Sequence, residues 1–259
     1  MARMKFKGKR ALVTAGAQGI GLAISRELAA AGCDVFVHYR TSREAAEALC
    51  GELIANGVRA GCAAGDLTDP AECRRVVEDA AAFLGGLDVL VNNAGSLVAR
   101  RKFEEADDAY WTEVMRLNLD SARWVTHAAL PHLVDAGTSR GGASIVNLSS
   151  VAGRHGGGPG AIAYSTAKGA MLTLTRGLAS EYAPKGVRVN AVTPGLILGS
   201  AFHTLHTPEE TQRKIIAGIP LGRAGTTEDV ARAVAYLASE FDGFITGATL
   251  DINGGVYLM

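Results

Sequence analysis

A chain of 259 residues, 48% hydrophobic and 20% charged, has room for a sizeable core and the make-up of an ordinary globular protein. Its 26 basic and 26 acidic side chains cancel, which removes the strong field that favours nucleic acid or an anionic membrane surface. No apolar run approaches a membrane span, the basic start lacks the apolar core of a signal peptide, and Cys33, Cys50, Cys62 and Cys73 form no Cys-x-x-Cys, so a cytoplasmic protein with reduced thiols is expected.

Short β-branched runs alternate with longer alanine-rich periodic ones. Strands are expected at Ala11–Thr14, Val35–Tyr39, Val58–Ala63, Val89–Val91, Ser144–Leu148, Val187–Val192 and Thr249–Ile252. Helices are expected at 19–31, 42–55, 70–84, 107–134, 162–183 and 227–239. Most strands are continuous apolar runs, as required when helices cover both faces of a parallel sheet. The expected fold is therefore α/β, one doubly wound parallel sheet of about seven strands with right-handed crossovers. No Pro- or Ser-rich linker divides residues 1–259, which read as a single domain. Segment 196–225 is the longest connection, carries a short helix from near Pro208 and follows a strand end, the place for a substrate lid.

The first strand runs into Thr14-Ala15-Gly16-Ala17-Gln18-Gly19-Ile20-Gly21. Gly19 and Gly21 permit close backbone approach, and the helix that follows offers N–H groups and a positive dipole end to a pyrophosphate. The second strand ends in Tyr39-Arg40-Thr41-Ser42, where enzymes of this architecture that use NAD usually present an acid to the ribose diol. Without that carboxylate, Arg40 can pair with a 2′-phosphate, so NADP(H) is favoured and NAD(H) is the alternative.

Further along, Tyr164 and Lys168 lie four residues apart and share a helical face with Ala163 and Ala167. A phenol titrates near 10 in water, and a neighbouring ammonium lowers that value. Bringing it near 7 takes roughly 4 kcal/mol of differential stabilisation, part of which a bound nicotinamide's positive charge would supply. Tyr164 is thus the candidate general acid in carbonyl reduction and general base in alcohol oxidation.

These motifs, in this order, resemble the short-chain dehydrogenase/reductase family over nearly the whole chain. The resemblance covers the glycine loop, Asp66-Leu67-Thr68, Asn92-Asn93-Ala94-Gly95, Asn118, the serines at 149–150, Tyr164-x-x-x-Lys168 and Thr193-Pro194-Gly195. It implies that Ser150 binds the substrate oxygen, with Ser149 as its rival, and that Lys168 also bonds the nicotinamide ribose. It implies that Asn118 anchors a water leading from Lys168 to solvent. It further implies dinucleotide contacts from Thr14, Ala15, Gly16, Gln18, Gly19, Ile20, Gly21, Tyr39, Arg40, Thr41, Ser42, Asp66, Leu67, Asn93, Ala94, Gly95, Tyr164, Lys168, Pro194, Gly195 and Ile197.

Two positions depart from the family pattern. Ala15 stands for its first glycine, where a left-handed backbone strains alanine by roughly 1 kcal/mol, and Gly16 is the neighbour expected to take over the turn. Gly199 stands where a threonine usually bonds the nicotinamide carboxamide, with Ser200 as the nearest hydroxyl.

The substrate is expected to be a small carbonyl or alcohol. The stretches at 37–49 and 220–239 resemble the reductases of 3-oxoacyl thioesters on acyl-carrier protein, for which Arg140 and Lys185 are the available docking cations. A sugar, polyol or other secondary alcohol is the alternative; a non-catalytic NADP(H)-binding regulator is the alternative from another class. The family further implies a homotetramer, for which the small residues Ala163, Ala167, Ala170 and Ala179 would let a partner helix approach. Gly137–Gly141 as an esterase motif, His203 with His206 as a metal site and Asn147 as a glycosylation acceptor are set aside, because each lacks the setting its chemistry needs.

Overall fold

The computed structural model describes residues 6–199, 207–239 and 243–258. Its centre is a seven-stranded, wholly parallel sheet in the order β3-β2-β1-β4-β5-β6-β9. The strands are β1 Arg10–Val13, β2 Asp34–Tyr39, β3 Ala60–Ala64, β4 Val89–Asn92, β5 Ala143–Leu148, β6 Val187–Pro194 and β9 Thr249–Ile252. A short parallel pair, β7 Ile197–Leu198 with β8 Gly225–Thr226, ties the two ends of the 196–225 segment together.

The continuous apolar runs fill two cores at once. Ala11, Val13, Val35, Val37, Val89 and Val91 point to one face, where they meet helices α1 (Gly19–Ala30), α2 (Arg43–Ala55) and α9 (Thr227–Ala238). Leu12, Phe36, Leu90 and Ile145 point to the other, against α3 (Pro70–Leu84) and α5 (Ser121–Ser139). Alternate residues thus serve opposite layers, which is why no polar alternation is visible in the sequence.

Helix boundaries follow local chemistry. Asp69 accepts the Ala71 N–H and Pro70 opens α3, which ends at Gly85 with φ +81°. Thr226 and Asp229 cap α9 reciprocally. The helix expected at 107–134 is α4 (Asp108–Met115), a π-helical segment Arg116–Asp120, and α5, which runs on to Ser139. The Asn118 amide donates to the Val114 carbonyl at 2.9 Å and the Ser121 hydroxyl to that of Leu117 at 2.7 Å. Both side chains compete for carbonyls four residues back, which suits the wider local winding. β3 starts at Ala60, two residues later than expected, because Val58 N–H still closes α2 on Leu53.

Two short helices complete the frame, α6 (Ala152–His155) and α8 (Glu209–Ala217), beside the long α7 (Ile162–Tyr182). Connection order reverses between β1 and β4, which opens the crevice at their carboxyl ends where ligands of such sheets bind.

Candidate active site

At the end of β1 the Thr14 hydroxyl accepts the N–H groups of Asn93 (2.8 Å) and Ala94 (3.0 Å) and donates to the Val91 carbonyl (3.2 Å). The Asn93 amide returns to the carbonyls of Thr14 (2.9 Å) and Ala15 (3.1 Å), so the loops after β1 and β4 form one unit. Ala15 itself takes the left-handed conformation, φ +48°; the expectation that Gly16 would take over the turn is not met. A Cβ on Gly21 would collide with the Ala15 carbonyl and sit 2.6 Å from the Asn93 amide, so only glycine permits this approach of helix to loop.

Helix α1 starts here with Gln18 making no side-chain cap and no acid in its first turn. Its first N–H groups are therefore left for a ligand, and the arrangement fits a dinucleotide pyrophosphate. Gln18 is exposed, Gly19 and Ile20 half-buried. Around the adenosine end, Arg40 and Thr41 are exposed and Ser42 half-buried, while the Tyr39 and Leu67 side chains pack into the core. Asp66 accepts the N–H (2.9 Å) and hydroxyl (2.8 Å) of Thr68, which hold its carboxyl below the usual range, with a smaller contribution from Arg40.

The proton-handling groups converge from β5, α7 and the π segment. The Ser149 hydroxyl is committed to the Lys168 carbonyl at 2.7 Å. Ser150, half-buried, is hydrogen-bonded to the Tyr164 phenol and accepts the Ala152 N–H at 3.1 Å. Lys168, 3% exposed, donates to the Leu148 carbonyl at 2.8 Å, and its Nζ lies 5.8 Å from the Tyr164 ring centre. Asn118 is held by the backbone of Ser96, donating to its carbonyl (2.7 Å) and accepting its N–H (3.1 Å). A Cβ on Gly95 would come within 2.7 Å of the Asn118 Oδ1 and 2.9 Å of the Lys168 Nζ, so both polar tips converge beside this bare residue. Leu97, Tyr110, Val114, Ala161 and Ala163 pack with Tyr164 to form an apolar wall.

Burial dominates the titration of this pair. It pushes the Tyr164 phenol up to about 12, against the Ser150 hydrogen bond that favours the phenolate, and it pulls the Lys168 ammonium down to about 8. The expectation that the Lys168 ammonium lowers the phenol's pKa is not met here, because burial raises it.

At the end of β6, the Pro194 carbonyl accepts the Val151 N–H and the Gly195 N–H reaches the Ile252 carbonyl, both at 2.9 Å. Ile197 is buried in β7. Gly199 has φ +84°, a conformation threonine resists, which accounts for glycine there. Ser200, His203 and His206 lie outside the described residues, as does all of 200–206 in the expected lid.

Several expectations need correcting. Ala163, Ala167 and Ala179 are buried within the chain, so the exposed side of α7 carries Ile162, Thr166, Thr173 and Gly177 instead. Lys185 precedes β6 and Arg140 precedes β5, at the amino edge of the sheet, about 20 Å of strand from the site. Arg140 there pairs with Asp88 at 3.2 Å. His155 is exposed and accepts the Gly157 N–H. Arg100 and Arg101, in the loop after β4, meet the glycine-rich stretch through the Arg100 guanidinium and the Arg101 N–H, which donate to the carbonyls of Pro159 and Gly160, while the Arg101 guanidinium pairs with Asp107 at 3.3 Å. Ser139 donates to Asp135 from the end of α5, and Asn147 is fully enclosed between Asn92 and Thr175. Sequence reasoning passed over Ser96, which is invisible without the fold, and His38, a polar residue inside the apolar run of β2.

The family profile described as "Enoyl-(Acyl carrier protein) reductase" matches residues 14–257. The 3-oxoacyl-[acyl-carrier-protein] reductase FabG of Escherichia coli is 37% identical, covering 99% of this chain and all of its own. A solved blue fluorescent protein from a metagenomic library, in complex with NADPH, superposes with a TM-score of 0.88 at 34% identity, covering 98% of this chain and 100% of that one. The NADH-dependent reductase A1-R′ complexed with NAD gives 0.87 at 34% identity, covering 98% of each chain. No helix among the described residues is long and apolar enough to cross a membrane. The chain belongs to the short-chain dehydrogenase/reductase family, as an oxidoreductase acting on CH–OH and carbonyl groups with a nicotinamide dinucleotide.

Proposed function

We propose that this chain is an NADP(H)-dependent reductase of 3-oxoacyl thioesters. The observation that carries the chemistry is the buried Tyr164 phenol hydrogen-bonded to Ser150 with Lys168 one helical turn away. Ser150 holds the substrate oxygen against the phenol, and Tyr164 delivers the proton to that oxygen. Lys168 supplies positive charge to the developing phenolate and reaches the ribose of the dinucleotide. Asn118 fixes the water that returns a proton to Lys168. When bound, the nicotinamide supplies the hydride, or accepts it in the reverse direction.

Support for NADP(H) is the exposed Arg40 at the end of β2 and the absence there of the acid that repels a 2′-phosphate; NAD(H) is the alternative. Support for a thioester is the likeness to the FabG reductase and the Arg100 cation in the loop after β4. The far placement of Lys185 and Arg140 favours the second reading, a dehydrogenase of a smaller secondary alcohol that needs no carrier. We also read residues 1–259 as one domain with a lid at 196–225, acting in the cytoplasm as a homotetramer.

The test is initial-rate measurement with both reduced cofactors on an acetoacetyl thioester, a 2-enoyl thioester and a panel of sugar and simple ketones. The proposal expects the 3-oxo thioester with NADPH to be fastest. A clear preference for the enoyl thioester or for a sugar ketone would overturn the substrate assignment, and no activity on any of them would favour the regulator.

A further inference from the structure

His38 lies in β2, 3% exposed, outside the proton-handling site. Its Nδ1 accepts the N–H of Ala15 at 3.0 Å, and its backbone carbonyl accepts the N–H of Gly16 at 2.9 Å. On the far side of the ring, Nε2 meets the Gly65 carbonyl at 3.0 Å. A carbonyl can only accept, so Nε2 carries the proton and Nδ1 is the lone-pair acceptor that an amide N–H requires. Burial lowers the pKa of the imidazole and Arg75 adds to this, while Asp66 and the Gly65 bond oppose it.

Ala15 is one of two non-glycine residues with positive φ among those described, and the other, Val98, lies outside this loop. Backbone dihedrals at a residue are set by the peptide planes on either side of it. Here the plane before Ala15 is held by its N–H on His38 and by the Thr14 carbonyl on Asn93. The plane after it is held by the Gly16 N–H on His38 and the Ala15 carbonyl on Asn93. One strand residue and one loop residue thus over-determine a conformation that alanine resists, the condition under which local strain persists in a native structure.

We propose that His38 is the positioning residue that lets an alanine occupy the turn of the dinucleotide-binding loop, locking Ala15 left-handed and joining that loop to the Gly65–Asp66 segment at the adenosine end. The inference rests on the reading that residues 14–21 hold the dinucleotide pyrophosphate. A histidine that merely fills space would do so equally well beside a glycine. The arrangement here ties its side-chain acceptor to the strained position.

Two conservative variants separate the bonds. In His38→Asn the amide oxygen sits where Nδ1 does and keeps the Ala15 bond; in His38→Gln the amide reaches the Nε2 position and keeps Gly65 instead. NADPH dissociation constants, measured by fluorescence titration at pH 7.5 on the full chain, should stay within about threefold of wild type for His38→Asn and weaken roughly tenfold for His38→Gln, the scale of one lost buried hydrogen bond. His38→Leu should weaken binding at least as much, and adding Ala15→Gly to His38→Leu should restore most of the affinity. Equal affinities for Asn, Gln and wild type, or a loss in His38→Leu that Ala15→Gly leaves unchanged, would overturn the assignment. If His38→Leu does not fold, the Asn and Gln pair decides alone. Failure of the wild-type chain to bind NADPH or NADH at all would instead sink the reading of the loop.

Discussion

Replacing Lys168 by methionine should stabilise the dinucleotide-free protein at neutral pH while destroying its activity. The ammonium is buried to 3% exposure with one described hydrogen-bond partner, the Leu148 carbonyl, and burial brings its pKa from 10.5 to about 8. Below pH 8 the group is charged in both folded and unfolded chains, and the folded chain bears the whole desolvation penalty, about 3 kcal/mol. Methionine has a similar length and no charge to desolvate. It leaves the Leu148 carbonyl short of a partner, which returns about 1–2 kcal/mol, so a net gain of about 1–2 kcal/mol remains at pH 7. Between pH 8 and 10.5 the folded wild type sheds its proton while the unfolded chain retains it, so wild-type stability rises relative to the variant. By pH 10 the wild type should have recovered about 2 kcal/mol, erasing the advantage of Lys168→Met. Urea denaturation of both proteins at one concentration, at pH 7 and pH 10, measures this directly. A variant less stable than wild type at pH 7, or a difference that does not change with pH, would refute the claim that burial dominates this lysine.

The paired serines should separate cleanly: Ser150→Ala should lose most turnover with dinucleotide affinity preserved. Ser149→Ala, which removes the bond to the Lys168 carbonyl, should cost about 1 kcal/mol of stability in denaturant titration and less activity than the Ser150 variant. Arg40→Ala should weaken NADPH at least tenfold, the scale of a lost charge-assisted bond, and leave NADH nearly unchanged; equal small effects in calorimetric titration would mean that Arg40 only faces solvent. Light scattering at micromolar concentration should return a tetramer, whereas a monomer would remove the exposed face of α7 as an interface.

The layered fold was legible because both faces of the sheet need apolar residues, and the helices carry their own punctuation in Asp69-Pro70, Gly85 and Thr226. Tyr164 and Lys168 were legible as a pair because a phenol and an ammonium four residues apart share one helical face, whereas Ser150 was marked only by the resemblance to the family. What could not be read depends on partners distant in sequence. Ala15 looked like a misfit because the residue that holds it, His38, lies 23 positions away on another strand. The π-helical turn around Asn118 comes from side chains competing for carbonyls, which a helical period does not reveal. Lys185 and Ala167 were read by residue type alone, and type does not say which edge of a sheet or which side of a helix a residue occupies.

Whether the buried phenol donates the proton is settled most directly by the turnover of Tyr164→Phe beside its NADPH dissociation constant. The ring keeps its place in the wall of Leu97, Tyr110 and Val114 and loses only the hydroxyl bonded to Ser150. The account predicts turnover lower by 10²–10⁴-fold or more, roughly the worth of general acid–base catalysis, with NADPH affinity within about threefold of wild type. A variant that kept more than about a tenth of wild-type activity would contradict it.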